Sequence, residues 1–246
     1  DLVILADWEI DLNQKLKALN EYCIQNRLTV NINKIKVMIF SKGGYSAIFR
    51  RHKFYYDSSE LDIVPSYVYL GVEFTSSGLF SEMSNRIVLK TKQAFGSVTS
   101  LINRSKMNSW YSQKKLYDSI ILSSLTYNIG IWGLRYEDII EKAQVGFFKN
   151  LLWLPRNTPN YIIRLETDTV KVSFLILKAA LSWLFKLKSM SDQRLPKICF
   201  NRLKQLSDTS PIKYNWVTQL KTYFIVTEIL ISEILASGTI FIINRN

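Results

Sequence analysis

The stretch Asp1-Leu2-Val3-Ile4-Leu5-Ala6 decides how the fold is interpreted, because a single carboxylate is followed at once by an apolar run. The run contains branched aliphatic residues and predicts a buried β-strand. The carboxylate before it has two interpretations. It is a solvated residue beside an ordinary core strand, or it belongs to a hairpin whose partner strand lies upstream of this sequence. The six residues alone favour the first interpretation, and the motifs that follow favour the second.

The amino-acid composition is typical of a folded, basic protein. The 246 residues suffice for one large domain or two small ones, and 48% of them are hydrophobic. Lys and Arg outnumber Asp and Glu by 32 to 20, which leaves a formal charge of +12. A surplus of this size indicates a polyanionic partner, either a nucleic acid or an anionic membrane.

Several kinds of site are excluded by the residue counts. Two cysteines, Cys23 and Cys199, and one histidine, His52, are too few for a usual structural zinc site or a Cys–His nucleophile. No disulfide framework is needed, which favours a reducing compartment. The apolar run 224–243 contains Glu228 and Glu233, so a buried helix and strand are predicted there, with no membrane partner.

The first third of the chain alternates between strand and helix patterns. Asp7 is predicted to cap a helix over residues 8–26, whose apolar face is Leu12, Leu16, Leu19 and Cys23. Residues 28–32 are predicted to be extended, and residues 34–40 to form a half-buried strand ending at Gly43 and Gly44. The fold class is therefore α+β or α/β at this point.

A small antiparallel meander is predicted next. Residues 53–56 and 60–64 flank a turn, and residues 67–75 return as a third strand. Gly71 lies in the middle of this third strand and indicates a kink or a close approach of another backbone.

The rest of the chain has a helical pattern. Helices are predicted over residues 81–105, 109–132, 137–153 and 170–188. The polar, Pro-containing run 154–160 is the best internal boundary, and a basic linker is predicted from Arg194.

Basic side chains are concentrated on the first two of these helices. No acidic residue occurs between Ile87 and Leu116. The basic residues there lie among Phe95, Trp110 and Tyr111, and they predict a surface that follows phosphates. A solvated basic face with core aromatics is the alternative. The basic residues are Lys90, Lys92, Arg104, Lys106, Lys114 and Lys115.

The order of these motifs resembles the C-terminal half of a non-LTR retrotransposon reverse transcriptase of the jockey-like kind. The resemblance rests on the Asp1 strand, the amphipathic helix, the N-x-x-K run Asn31 to Lys34, the Tyr67 to Val72 hairpin and the basic helices. Trp132-Gly133 and the run 154–159 resemble the region that follows the thumb in that family. Ile35 stands where the family usually has Thr, which puts the local turn in doubt.

The resemblance assigns roles to individual residues. It implies that Asp1 is the second Asp of a Tyr/Phe-Ala-Asp-Asp turn and a ligand of catalytic Mg²⁺. Lys34 is expected near the incoming triphosphate, as a cation or as a proton donor. Tyr69, Leu70 and Gly71 match the primer-grip hairpin of the palm. The basic residues after Ser81 match a thumb that holds an RNA–DNA duplex without reading its sequence.

The fold and function that follow are an α+β palm remnant over residues 1–78, a helical thumb over 81–153 and a helical extension over 160–246. The implied activity is RNA-directed DNA synthesis with an RNA template, a DNA primer and dNTP. The fingers, the first palm Asp and the first Asp of the turn are not in this sequence, so the isolated chain is expected to be inactive and to bind no Mg²⁺. Two other interpretations are a nucleic-acid-binding module without chemistry and a structural helical protein whose charge is incidental.

Overall fold

The computed structural model describes residues 2–41, 52–209 and 215–225, and it divides into two compact units. The first unit, Asp1–Met83, contains the strands, and the described part of the second unit, Ser84–Asn246, is helical. The predicted α+β class is therefore confirmed. The turn predicted at Gly43 and Gly44, after the strand over residues 34–40, lies outside the described residues.

One helix and a three-stranded sheet form the centre of the first unit. Strand β3 pairs in parallel with β1 and antiparallel with β2, so the order is β1-β3-β2. The elements are α1 (Glu9–Gln25), a 3₁₀ turn (Ile32–Lys34), β1 (Lys36–Val37), β2 (Phe54–Tyr56) and β3 (Ser59–Ile63). Leu16 of α1 lies in one core cluster with Val37, Phe54, Tyr56 and Leu61. The predicted apolar face of this helix is confirmed, since Leu12 and Leu19 pack against the same cluster.

A separate two-stranded hairpin follows. Strands β4 (Ser66–Tyr69) and β5 (Val72–Thr75) are antiparallel, and Tyr69 pairs with Val72 across a two-residue turn. Leu70 and Gly71 form this turn, with φ of 47° and 78°. The third strand predicted for the meander, over residues 67–75, is therefore wrong, because these residues form a separate two-stranded sheet, whereas the hairpin expected at Tyr67 to Val72 is present. Positive φ at both central residues is what a type I′ turn requires, and such a turn reverses the chain.

The strand predicted at the start of the chain is absent from the described residues. Leu2 and Leu5 are exposed, and only Ile4 of this stretch packs against the core cluster. No described strand pairs with residues 2–6, so the hydrogen bonds that would define a strand are missing, and the Leu5 carbonyl instead accepts a bond from the Lys15 ammonium at 2.8 Å.

Two further predictions in this unit are corrected. The residue before α1 is Trp8, with no side-chain cap, while the backbone N–H of Asp7 donates to the Asp11 carboxylate at 3.4 Å. Asp7 is therefore one residue too early to cap the helix. The predicted strand over residues 34–40 is reduced to Lys36–Val37, because the 3₁₀ turn takes up residues 32–34.

The second unit is built from short and long helices. They are α2 (Ser81–Arg104, which starts in the first unit), α3 (Trp110–Leu116), a π-helical turn (Tyr117–Leu122), α4 (Ser123–Leu125), α5 (Ile129–Trp132), a 3₁₀ turn (Gly133–Arg135), α6 (Glu137–Leu151), α7 (Asn160–Thr167), α8 (Val172–Ser189) and α9 (Leu195–Thr209). Residues 216–225 are also helical. None of the helices in the described ranges has the length and apolarity needed to cross a bilayer.

The structure corrects two helical predictions here. The helix predicted over residues 109–132 is interrupted before α5, where Asn128 has φ of 50°. The linker predicted from Arg194 is instead helix α9. Pro196 is compatible with α9 because it lies in the first turn, where a missing N–H breaks no hydrogen bond within the helix.

An aromatic cluster fills the core of the second unit. The ring centroid of Tyr117 lies 4.4 Å from that of Phe148 and 5.3 Å from that of Phe147. Phe95 of α2 packs on Phe147 at 4.8 Å. Burial of these large rings stabilises the packing of α2, the π-helical turn and α6 against each other.

Four of the described helices end in the same backbone motif. At the ends of α1, α2, α6 and α7 the residues Arg27, Lys106, Trp153 and Asp168 have φ of 52°, 50°, 55° and 49°. In each case the next residue donates its N–H to a carbonyl five positions back, as in Leu154 to Lys149 at 2.8 Å. This is the Schellman motif, in which glycine is the usual left-handed residue. All four positions here carry a side chain.

Candidate nucleic-acid interface

The predicted metal ligand cannot be placed, because Asp1 lies outside the described residues. Within residues 2–41, 52–209 and 215–225, no three His, Cys, Asp or Glu side chains lie close enough together to hold a metal ion. Nucleotidyl transfer with two Mg²⁺ ions needs several carboxylate oxygens at one point. The described residues therefore do not fit the Mg²⁺ that the resemblance implies.

Lys34 and the β4–β5 hairpin meet in the first unit. Lys34 is the last residue of the 3₁₀ turn and its side chain is exposed. Its backbone carbonyl accepts a hydrogen bond from the hydroxyl of Tyr67, at 3.2 Å. Tyr67 belongs to β4, so this bond joins two segments that are 33 residues apart in sequence.

The predicted grip residues form the tip of that hairpin. Tyr69 is half-buried at the end of β4, and Leu70 is 59% exposed in the turn. The turn is narrow because only Leu70 and Gly71 separate the paired residues Tyr69 and Val72. It can approach a flat or extended ligand closely, with one apolar side chain at its tip.

The predicted cations on α2 lie on two sides of the helix. Lys90, Lys92 and Arg104 are all exposed. At about 100° per residue, Lys92 lies about 160° around the helix from Lys90, whereas Arg104 lies within about 40° of it. A single straight ligand along α2 can therefore meet Lys90 and Arg104 together, but not Lys92.

The remaining cations differ in their surroundings. Lys106 is exposed in the Schellman motif of α2, and Lys115 is exposed with its ammonium 6.0 Å from the ring centroid of Tyr111. Lys114 is engaged within the protein. Its ammonium donates to the carbonyl of Asp168 at 3.3 Å and lies 3.7 Å from the Asp118 carboxylate.

The three aromatic residues among these cations differ in whether they pack against the core or are exposed to solvent. Phe95 belongs to the core, as its contact with Phe147 shows, and Trp110 packs toward Phe148 with a centroid distance of 6.4 Å. Tyr111 is 74% exposed. Of the three aromatics, only Tyr111 offers a largely free ring beside a lysine.

A buried charged network was not predicted from sequence. Glu141 of α6 is 7% exposed and accepts hydrogen bonds from the guanidinium of Arg164 on α7. Its other oxygen accepts the backbone N–H of Val172, the first residue of α8, at 2.9 Å. The carboxylate thus neutralises a cation and caps a helix from outside.

A second carboxylate lies at the start of the same helix α6. Burial alone would raise the pKa of Glu137, but the ammonium of Lys171, 2.8 Å away, and the hydroxyl of Tyr223 hold the pKa below its usual value. Both groups favour the ionised carboxylate. The hydrogen bond from Tyr223 also fixes residues 216–225 against α6. Neither carboxylate is available for a ligand.

Sequence reasoning also missed Trp153, which it placed at the end of a helix. Trp153 is 91% exposed, and it follows α6 in a connector that includes the exposed Arg156. A signal was present in the sequence, because no acidic residue occurs between Lys142 and Leu165.

No protein-family model matches this chain, and no curated protein or solved structure is significantly similar to it.

Proposed function

We propose that this chain is part of an RNA-directed DNA polymerase of the non-LTR retrotransposon kind, and that its described residues bind the primer–template duplex. The observation that carries the proposal is the hydrogen bond from Tyr67 to the Lys34 carbonyl. It joins the N-x-x-K turn to the Tyr-Leu-Gly hairpin. The resemblance puts the triphosphate near Lys34 and the primer end near Leu70, so the two segments would have to be neighbours.

Charge supports a duplex as the ligand. The chain carries a formal charge of +12. In the second unit Lys90, Arg104, Lys106 and Lys115 have exposed side chains. Exposed lysines and arginines gain affinity for phosphates mainly by releasing counterions, which requires no reading of sequence. An RNA–DNA hybrid bound in this way would be recognised by its shape and its backbone.

The salt dependence of hybrid binding tests the role of these cations. In the whole chain, the combined replacement of Lys90, Arg104 and Lys115 by Ala should flatten the plot of log affinity against log salt. Each lost phosphate contact is expected to reduce the slope by about 0.9. Fluorescence anisotropy with a labelled RNA–DNA hybrid measures the slope.

Lys114→Ala is the matched control. Its ammonium is held by Asp118 and by the Asp168 carbonyl, so its removal should lower thermal stability and leave the slope unchanged. A triple variant with the slope of the unchanged chain would contradict duplex binding by this surface.

A nucleic-acid-binding module without chemistry is the second candidate. It is favoured by the lack of a group of three potential metal ligands in the described residues. Primer extension on an RNA template with Mg²⁺ separates the two functions. We expect hybrid binding without incorporation from this chain alone, and dNTP incorporation would instead assign the chemistry to residues that it contains.

A further inference from the structure

The connector between α6 and α7 presents aromatic and basic side chains on a fixed backbone. Trp153 is 91% exposed and Tyr161, at the start of α7, is 62% exposed. The backbone between them is held at several points. Lys149 donates from its ammonium to the carbonyl of Arg156 at 2.7 Å, the N–H of Thr158 donates to the Pro155 carbonyl at 3.1 Å, and Leu154 packs against the aromatic core.

Trp153 occupies a position that disfavours it. It is the left-handed residue of the Schellman motif at the end of α6, with φ of 55°. Glycine is the usual residue there because it has no Cβ, and a bulky side chain at positive φ is uncommon. A large indole that is strained in its backbone and contributes almost no burial does not stabilise the fold. Strain retained at an exposed residue is a basis for inferring a function.

Charge indicates what the indole contacts. No carboxylate occurs in the chain from Lys142 to Leu165. The side chain of Arg156, three residues after Trp153, is exposed, and it takes part in none of the ion pairs of the described ranges. An exposed aromatic ring and an exposed cation so close in sequence, in a stretch of chain without a carboxylate, suit a base and its phosphate.

We propose that this connector binds unpaired nucleotides, with a base stacked on Trp153 and a phosphate at Arg156. The inference goes beyond the proposed function, because it concerns single strands and uses none of the cations assigned to the duplex. Its test measures binding of single strands and does not depend on polymerase activity. Tyr161 provides a second ring for a neighbouring base.

Trp153→Gly is the decisive variant, since it removes the ring and places the preferred residue in the Schellman motif. It should fold at least as well as the unchanged chain, which thermal unfolding verifies. Its affinity for a labelled single-stranded oligo(dT) should fall roughly tenfold to hundredfold, as expected for the loss of one stacked base. Its affinity for a blunt RNA–DNA hybrid should not change.

Two controls define the role of the ring. Trp8→Ala removes another tryptophan, 78% exposed in the first unit, and should leave oligo(dT) affinity unchanged. Trp153→Phe keeps a ring that can stack and should retain most of the affinity. Quenching of tryptophan fluorescence by oligo(dT) should persist in Trp8→Ala and largely disappear in Trp153→Gly.

The phosphate contact has its own measurement. Arg156→Ala should reduce the salt slope for oligo(dT) by about 0.7, the single-strand value for one contact, and Arg156→Lys should keep the slope. Unchanged oligo(dT) affinity in Trp153→Gly overturns the proposal. So does Trp153-dependent binding to vesicles of anionic phospholipid in a chain that does not bind oligo(dT).

Discussion

At the scale of single residues, the turn between β4 and β5 places one residue that suits its backbone conformation next to one that does not. Gly71 adopts φ of 78° without steric cost, whereas Leu70 has φ of 47° with a branched side chain. A type I′ turn prefers Asn or Gly at the position of Leu70. The hairpin therefore retains a strained leucine at the tip that we propose to lie near the primer.

Substitutions in this turn should change stability in opposite directions. Gly71→Ala adds a Cβ to a left-handed residue and is expected to lower the free energy of unfolding by about 1 kcal/mol. Leu70→Asn should raise it by about 0.5 kcal/mol, because Asn tolerates this conformation. Urea denaturation of the whole chain measures both values. A loss of stability in Leu70→Asn would show that the contacts of Leu70 outweigh its strain.

At the scale of elements, Gly130 of α5 has the closest backbone neighbour of any described glycine in the second unit, and that neighbour lies on α8. A Cβ on Gly130 would lie 2.7 Å from the backbone carbon of Ala179 and 2.9 Å from its oxygen. The carbonyl of Gly130 also accepts a hydrogen bond from the indole of Trp216 at 2.9 Å. Only glycine allows α5 to reach α8 at this distance.

Gly130→Ala should therefore destabilise the chain by about 1–3 kcal/mol, because one of the two helices must move. Gly146→Ala is the matched control in α6, where an added Cβ has no neighbour within 4 Å. It should stabilise the chain by about 0.5–1 kcal/mol, since alanine is the better helix former. The two variants are compared by thermal unfolding, and equal changes would contradict the tight α5–α8 contact.

Sequence periodicity predicted the long elements well and the short ones poorly. Helices α1, α2, α6 and α8 were located to within about two residues, because each repeats its apolar positions over several turns. The prediction of a strand at residues 2–6 was wrong, because an apolar run forms a strand only where another strand lies beside it. The prediction of a single strand over residues 67–75 was wrong, because the turn inside it uses Leu-Gly instead of the familiar Asn-Gly pair.

The candidate sites were predicted by residue type, but not by geometry. The sequence located the exposed cations Lys90 and Lys115. It could not show that Lys92 lies on another side of α2, or that Lys114 is held by Asp118. The sequence did not predict that Trp153 is exposed, because its exposure depends on where α6 ends. The ends of a helix are the least certain part of a prediction from periodicity.

At the scale of the whole molecule, stability should depend on pH in the alkaline range. Burial raises the pKa of Tyr117 well above its ordinary value of 10.0, and the amide of Gln144, which donates to the phenol oxygen at 2.9 Å, only partly opposes this shift. Above about pH 10 the unfolded chain loses the phenolic proton while the folded chain keeps it. The free energy of unfolding must therefore fall as the pH rises.

The expected slope is at most about 1.4 kcal/mol per pH unit from this one group. Tyr117→Phe should flatten the curve above pH 10 while lowering stability at pH 7, because the buried Gln144 loses its acceptor. Tyr111→Phe, at an exposed ring, should leave the curve unchanged. Urea denaturation at a series of pH values measures the slope, and a curve in Tyr117→Phe as steep as in the unchanged chain would contradict this origin.

The carboxylate of Glu141 has a consequence for the order in which the second unit opens. One oxygen pairs with Arg164 of α7 and the other accepts the first amide of α8, while the residue itself belongs to α6. If α6 or α7 detaches, the ion pair between Glu141 and Arg164 is broken. If α6 or α8 detaches, the N–H of Val172 loses its acceptor. Each separation leaves a buried polar group without its partner. The three helices should therefore open and close together as one cooperative folding unit, and partial states with a single helix detached should be rare.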